Sequence, residues 1–154
     1  MSVHSEKAKE LFHQGYNCSQ SVLGAFTDVT GLDFETSMKL ASSFGAGMGR
    51  LREVCGSVSG MFMVVGLKYG YTDPKDIKAK TEHYRMIQEL ARRFEAINGH
   101  IVCRELLGLS IPKADVPEPE ARTAAYYKKR PCAELVGCAA EILDQYLAER
   151  EQNK

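Results

Sequence analysis

Cysteine is the residue type of this chain with the clearest capacity for chemistry, and four of the five cysteines share one kind of position. Each of the four stands where helical periodicity begins: Cys18, Cys55, Cys103 and Cys132. A helix N-terminus presents unpaired backbone N–H groups and a partial positive charge, so a thiol held there loses its proton more readily. The thiolate is the form that attacks disulfides and binds metals. These positions predict one shared thiolate site for redox or metal chemistry.

Basic residues precede two of these cysteines. Arg50 and Arg52 come before Cys55, and a Lys-Lys-Arg run at 128–130 comes before Cys132. Positive charge stabilises a nearby thiolate. If two of the cysteines form a reversible disulfide, the two arginines make Cys55 the predicted attacking thiolate.

The remaining candidates for chemistry are weaker. Cys138 falls on the apolar stripe of the last helix and is interpreted as a packing residue. His100, three residues before Cys103, is the histidine whose spacing best suits a ligand, and Tyr126 and Tyr127 are interpreted as a solvated aromatic edge. No Cys-x-x-Cys motif occurs, so any shared site must form by convergence of distant segments.

Three glycines are predicted to contribute to a cofactor site: Gly47, Gly56 and Gly60. Gly47 is the centre of a glycine-rich run at 45–49, which predicts a flexible joint or a nest of N–H groups beside the cysteines. Glycine inside a helix costs about 1 kcal/mol relative to alanine. The pair at 56 and 60 therefore indicates either close packing against another backbone or N–H groups that face an anionic cluster or substrate.

The elements that must position these residues are helical. Apolar residues recur at steps of three and four, and no stretch alternates as a strand would. The predicted helices cover approximately residues 5–14, 17–31, 33–44, 55–69, 73–98 and 131–147, with a short turn at 102–107. The fourth is apolar on nearly every side, as expected of a buried helix. The predicted fold is an all-α, single-domain bundle of about six helices around a buried central helix, spanning 1–154.

One long connection interrupts this pattern. Residues 109–122 contain three prolines and are predicted to be irregular. Irregular connections of this length are uncommon in compact domains and often serve as lids or binding loops. A plain crossover between two distant helix ends is the alternative, and the sequence leaves both open.

The composition of the chain argues against several classes of function. Lys and Arg total 20, and so do Asp and Glu, which gives no support for nucleic-acid binding. The longest mostly apolar stretch, 58–67, is far shorter than the 20 or so residues of a bilayer span. Residues 1–14 are charged and lack the apolar core of a signal peptide. We therefore expect a cytoplasmic protein without stable disulfides, and a homodimer is the default oligomer.

Several motifs together resemble a known family. They are Gly15-Tyr16-Asn17-Cys18, Gly45-Ala46-Gly47-Met48, Cys55-Gly56-Ser57-Val58-Ser59-Gly60, Cys103-Arg104-Glu105-Leu106-Leu107-Gly108 and Pro131-Cys132. This set is similar to the redox-active proteins named for their C_GCAxxG_C_C cysteine pattern. The central motif of that family has alanine where this chain has Ser57, a residue small enough to preserve the packing.

The resemblance implies that the functional cysteines are Cys18, Cys55, Cys103 and Cys132, with Cys138 outside the pattern. It also implies a bacterial or archaeal protein, commonly from an anaerobe and often encoded near transporter genes. A related domain accompanies haem-binding segments in some electron-transfer cytochromes, which favours an iron–sulfur cluster or another thiolate-bound centre. The chain lacks the Cys-x-x-Cys-His motif of covalent haem attachment. The family brings no established reaction with it.

Several functions are consistent with these residues. The four cysteines could bind an iron–sulfur cluster that passes electrons to a redox partner, or two of them could form a reversible disulfide. As an alternative, they could bind zinc or copper in a metal-handling module linked to a transporter, without redox turnover. In the last alternative they pack in a helical scaffold and bind no cofactor.

Overall fold

A computed structural model describes residues 1–110 and 114–153. These residues form ten helical segments: α1 (Val3–His13), α2 (Cys18–Ala25), α3 (Thr27–Thr30), α4 (Phe34–Ala41), α5 (Gly45–Met48), α6 (Gly56–Tyr69), α7 (Ile77–Asn98), α8 (Cys103–Leu106), α9 (Ala124–Lys129) and α10 (Cys132–Gln152). Across these described ranges there is no strand, only an isolated antiparallel bridge between Val54 and Val102. The predicted all-α class is confirmed.

The core lies where α1, α2, α6 and α10 meet. α6 is the predicted central helix, and it buries Val58, Met61, Val64 and Val65 completely. α2 is buried still more thoroughly, because seven of its eight residues are buried. A small residue allows the two helices to approach closely: a Cβ at Gly60 would lie 2.9 Å from the Cβ of Val22.

Side-chain caps fix the start of several helices. Asn17 forms a capping box with Gln20 at the start of α2, and Asp33 accepts a hydrogen bond from the Thr36 N–H at the start of α4. The predicted start of α7 at residue 73 is wrong. Asp76 caps this helix, because Asp73 instead closes a turn by accepting a hydrogen bond from the Lys75 N–H.

Two predicted segments divide differently in the structure. The predicted helix at 17–31 breaks at Phe26, whose φ of −112° departs from helical geometry, so that α2 and α3 are separate. The predicted core stripes of α4 and α7 are also partly wrong. Leu40 is 45% exposed and Tyr84 is 51% exposed. Both helices pack at the periphery of the bundle, where only part of an apolar stripe is covered.

The glycine-rich run folds as a left-handed helical turn. Five consecutive residues have φ between +57° and +71°: Ala46, Gly47, Met48, Gly49 and Arg50. Backbone hydrogen bonds close the turn, from Met48 N–H to Phe44 O at 3.2 Å and from Gly49 N–H to Gly45 O at 2.9 Å. Left-handed geometry costs roughly 1–2 kcal/mol for each residue with a side chain. Contacts elsewhere must offset that cost.

The proline-containing connection is irregular as predicted in its described parts, 109–110 and 114–122. The prediction also covers 111–113, which lie outside the described residues and include Pro112. The helix that follows, α9, was not predicted, and Thr123 caps it. No helix within the described part of the chain has the length and apolarity required to cross a membrane.

Candidate functional site

One cavity of about 270 Å³ opens where four helices begin. The four predicted cysteines all line it: Cys18, Cys55, Cys103 and Cys132. Three of them are the first residues of α2, α8 and α10, and Cys55 is the residue immediately before α6. The chain therefore brings together four thiols from widely separated segments.

The other two candidates lie elsewhere. Cys138 is half-buried on α10, and its sulfur accepts a hydrogen bond from Asn98 Nδ2 at 3.5 Å. His100 is exposed and does not line the cavity. These placements agree with the packing interpretation of Cys138 and give no ligand geometry to His100.

One side of the cavity, the Cys18–Cys132 wall, is built from the starts of α2 and α10. The two thiols lie close enough for a hydrogen bond between them to shift the pKa of each. Both residues are nearly buried, at 9% and 7% exposure. Two helix N-termini therefore place two thiols in the lining of the same cavity.

A second part of the lining, the Cys55–Cys103 wall, is built from a short antiparallel pairing. The Cys55 N–H donates to Ile101 O at 2.8 Å, and the Cys103 N–H donates to Glu53 O at 2.6 Å. The left-handed turn lies against this pairing, because the Glu53 N–H donates to Gly47 O at 2.9 Å. Backbone hydrogen bonds thus set the positions of both cysteines.

Glycines permit these close approaches. A Cβ at Gly47 would lie 2.6 Å from the Cβ of Cys103, and one at Gly56 would lie 2.9 Å from the Cβ of Cys18. Both glycines line the cavity, whereas Gly60 lies in the contact between α2 and α6. Close packing therefore accounts for all three glycines, and their predicted role in binding a cofactor stays a prediction.

Four arginines also line the cavity: Arg50, Arg52, Arg122 and Arg130. Arg52 is only 4% exposed. Its Nη1 donates to the Cys103 sulfur at 3.7 Å, and its Nη2 donates to Asp115 Oδ2 at 2.9 Å. From its position in the sequence, this arginine is predicted to stabilise the thiolate of Cys55. That prediction is wrong, because the antiparallel pairing carries the guanidinium to Cys103 instead.

A covering segment, residues 114–122, lines part of the cavity with Pro117 and Pro119. Asp115 ties its beginning to Arg50 and Arg52, and Glu120 forms an ion pair with Arg130. The sequence left two interpretations of this connection open, a lid or binding loop and a plain crossover. These contacts favour a lid over the site.

Arg122 fixes the far end of the covering segment. It donates to Phe12 O, in the last turn of α1, at 2.9 Å and to Tyr16 O, beyond the end of that helix, at 3.1 Å. Its guanidinium also lies 4.2 Å from the centre of the Phe12 ring. Such cation–π contacts add to hydrogen bonding when the ring is buried, so this arginine anchors the cover to α1.

The two thiols of the Cys18–Cys132 wall differ in acidity. The hydrogen bond from Cys18 lowers the pKa of Cys132 despite burial, with help from the charges of Arg130, Arg122 and Arg52. The same hydrogen bond, together with burial, raises the pKa of Cys18 well above its ordinary value. Cys132 is therefore the thiol that ionises first.

The two thiols of the Cys55–Cys103 wall are harder to ionise. Burial raises the pKa of Cys55 to about 11, although the N–H groups of Ser57 and Val58 favour its thiolate. Burial also raises the pKa of Cys103, against the hydrogen bond and charge of Arg52. The predicted role of Cys55 as the readily formed thiolate is therefore wrong.

Tyr126 is a lining residue that the sequence analysis placed on a solvated edge. Burial, followed by the nearby charge of Cys132, raises its pKa to about 12, so it stays a neutral phenol. A signal was present in the sequence, because Arg122, Tyr126 and Arg130 recur at steps of four. The structure places only Tyr126 in α9, with Arg122 before the helix and Arg130 in extended backbone directly after it.

A metal centre is among the uses that the sequence predicts for these cysteines. Within residues 1–110 and 114–153, no group of three or more His, Cys, Asp or Glu side chains is arranged to hold a metal ion. The thiols share a cavity, but they do not form a ligand set in this arrangement. The predicted iron–sulfur, zinc or copper centre stays a prediction.

Four buried cysteines at helix starts, facing one arginine-rich cavity, define a helical protein with a multi-thiol site. The chain belongs to the family described as "Putative redox-active protein (C_GCAxxG_C_C)", whose model matches residues 16–146. The resemblance noted from the motifs is thereby confirmed. No curated protein and no solved structure matches the chain significantly.

Proposed function

We propose that this protein is a dithiol–disulfide redox protein in which Cys132 is the attacking thiolate and Cys18 the resolving thiol. The observation that carries the proposal is that both thiols line one buried cavity at the starts of α2 and α10, where their interaction lowers the pKa of Cys132 and raises that of Cys18. A thiol paired with a thiolate is the arrangement from which an internal disulfide forms. The family description as redox-active supports the same chemistry.

The reaction is a two-electron exchange. The Cys132 thiolate attacks one sulfur of a substrate disulfide, whose S–S bond breaks and releases one thiolate. Cys18 then passes its proton to that thiolate and attacks the Cys132 sulfur. The second substrate thiolate leaves and takes a proton from solvent. The products are two substrate thiols and a Cys18–Cys132 disulfide, and an external dithiol restores the reduced protein.

The Cys55–Cys103 wall has a different role in this proposal. The thiols of Cys55 and Cys103 interact electrostatically with each other and with the first pair. Their raised pKa values make them poor nucleophiles near neutral pH. We expect them to stay as thiols under conditions that oxidise the first pair.

A redox titration with chemical trapping tests the proposal. Reduced protein is equilibrated with mixtures of reduced and oxidised dithiothreitol, free thiols are blocked with N-ethylmaleimide, and peptides are mapped by mass spectrometry. We expect one disulfide per chain, between Cys18 and Cys132. A disulfide between other cysteines, or none, would contradict the assignment.

Single substitutions provide the matched controls. Cys18→Ala and Cys132→Ala should each abolish the two-electron transition. Cys138→Ala should leave it unchanged, because that cysteine lies outside the cavity. A transition that survives both cavity substitutions would show that another pair reacts.

The same cysteines could instead hold an iron–sulfur cluster for electron transfer, or zinc or copper for a transporter. The arginines and helix N-termini around the sulfurs favour an anionic centre in either use. Iron, sulfide, zinc and copper per chain should be measured on protein purified without oxygen or chelators. Stoichiometric metal that is lost in each of four single Cys→Ser variants would contradict the dithiol proposal.

A further inference from the structure

We propose that the cavity selects small organic disulfides that carry carboxylate groups, and that the arginines of its wall provide this selectivity. The inference rests on the proposed function, since it names the substrate class of the same dithiol. Three features of the structure carry it: the size of the cavity, the charge of its wall, and the replaceable partner of one arginine.

The size of the cavity limits the substrate. None of the four sulfur-bearing residues is more than 9% exposed. The volume of about 270 Å³ lies just below the range of roughly 300–1,000 Å³ common to small-molecule sites. Pro117 and Pro119 of the covering segment line its outer side. We therefore expect a metabolite-sized disulfide to reach the sulfurs more readily than a disulfide fixed in the surface of a folded protein.

The charge of the wall favours anions. Four guanidinium groups line the cavity, and the carboxylate among the lining residues is that of Glu120. Asp115, behind the lining, pairs with Arg50 and Arg52. Two carboxylates against four arginines leave a positive excess. A cleft with one sign of charge concentrates ligands of the opposite sign and speeds their association.

Arg130 is the arginine best placed to take a substrate carboxylate. It lies two residues before Cys132 and is 8% exposed. Within the described ranges, its side chain hydrogen-bonds only with Glu120, although a guanidinium has five N–H donors. Glu120 is 40% exposed, so its carboxylate returns to water readily when a substrate carboxylate takes its place.

The other arginines are held more firmly. Arg52 donates to both Cys103 and Asp115, and Arg122 donates to two backbone carbonyls of the α1 region. They contribute charge to the cavity without releasing their partners. Apolar side chains complete the wall, among them Phe12 and Leu135, and can accommodate the carbon chain of the substrate.

Three small disulfides of similar size test the selectivity: anionic dithiodiglycolate, neutral bis(2-hydroxyethyl) disulfide and cationic cystamine. Single-turnover oxidation of the reduced protein is followed by stopped flow with each probe. Each rate is divided by the rate of dithiothreitol with the same probe, which removes intrinsic reactivity. We expect the anion to exceed the cation by at least about tenfold, the lower end of electrostatic rate effects in charged clefts.

Variants assign the selectivity to the wall. Arg130→Gln should reduce the anion-to-cation ratio severalfold, and Arg130→Lys should retain most of it. Glu120→Gln should raise the ratio, because it frees Arg130 from its partner. Arg104→Gln is the matched control, since Arg104 pairs with Glu53 and does not line the cavity. The ratio compares the rates at which two probes react with the same Cys132 thiolate. A change in the ionisation of Cys132 alters both rates equally and therefore cancels.

The outcomes separate the two proposals. A ratio near one in the unsubstituted protein, with all three probes forming the Cys18–Cys132 disulfide, overturns the selectivity and leaves the dithiol function intact. A ratio that Arg130→Gln and Glu120→Gln leave unchanged overturns the assignment to Arg130. Failure of every probe to form that disulfide overturns both proposals.

Discussion

The two walls of the cavity contain the same residue type at the same kind of position, yet they differ in chemistry. On the Cys18–Cys132 wall, one sulfur donates to the other and three arginine charges favour the thiolate. On the Cys55–Cys103 wall, burial outweighs the backbone donors and the contact from Arg52. All four cysteines adjoin helix starts. A helix start therefore does not by itself ionise a thiol.

The difference shows which interactions decide acidity in a buried site. A helix N-terminus is worth roughly 0.3–1 kcal/mol to a nearby charge. Hydrogen bonds to a charged group contribute about 1.5–3 kcal/mol, and burial opposes ionisation by a comparable or larger amount. A second thiol that donates directly is thus the feature that distinguishes Cys132.

The largest expected effect comes from a change that disrupts only the Cys55–Cys103 wall. Gly47→Ala should destabilise the reduced protein by about 3 kcal/mol. The new Cβ would lie within 2.8 Å of atoms of Cys103, Arg52 and Glu53. Urea unfolding followed by circular dichroism measures the loss.

Gly49→Ala is the matched control for this prediction. Its φ of +64° is close to the +69° of Gly47, but the nearest atom to its added Cβ is Ser43 O at 3.7 Å. It should cost only about 1–2 kcal/mol, from backbone strain alone. Equal losses in the two variants would show that close approach to Cys103 does not matter.

A smaller effect should follow from breaking the sulfur–sulfur contact. Cys18→Ala removes the hydrogen bond that lowers the pKa of Cys132 and should therefore raise that pKa. The pH dependence of iodoacetamide labelling at Cys132, read by mass spectrometry, gives this pKa. Cys55→Ala should change it much less. A shift of the same size in both variants would remove the distinction between the walls.

Removal of the hydrogen bond from Arg52 to Cys103 tests the Cys55–Cys103 wall in the same way. Arg52→Gln should raise the pKa of Cys103 further, because that thiolate loses a hydrogen bond and a charge. The labelling profile of Cys103 measures the change. Arg104→Gln should leave the profile unaltered, and a profile that Arg52→Gln also leaves unaltered would contradict the assigned contact.

The smallest effect concerns the covering segment and acid pH. The hydrogen bond from Arg52 is the main cause that lowers the pKa of Asp115. A carboxyl group with a lowered folded-state pKa stabilises the protein above its unfolded pKa of about 3.9 and loses that contribution as pH falls through the folded value. The urea midpoint should be higher in the unsubstituted protein than in Asp115→Asn at pH 6. The difference should shrink below pH 4, and a constant difference would argue against the ion pair.

Local rules of sequence predicted much of the framework. Asn17 and Asp33 cap helices as their residue types indicate, and the mostly apolar stretch at 58–67 marks the buried helix. The same rules failed where two signals compete. Asp73 with Pro74 looked like a helix start, but Asp76 provides the cap nearer to the first helical residue.

The sequence predicted which cysteines form the site. It did not predict which of them interact with each other or with Arg52. The positions of four cysteines at helix starts indicated a shared cavity. The sequence could not show that Arg52 turns toward Cys103, because this depends on hydrogen bonds between 52–55 and 101–104. The contact of Cys18 with Cys132 likewise depends on how α2 and α10 pack, which no local pattern encodes.

The left-handed turn at 46–50 has a consequence for the order in which the molecule comes apart. Its three residues with side chains hold an unfavourable backbone geometry that only docking against neighbouring segments maintains. Segments of low local stability open before the rest of a fold does. Under heat stress we therefore expect the cysteine end to open while α1, α2, α6 and α10 are still assembled. Buried thiols would then become reactive in a molecule that is otherwise folded.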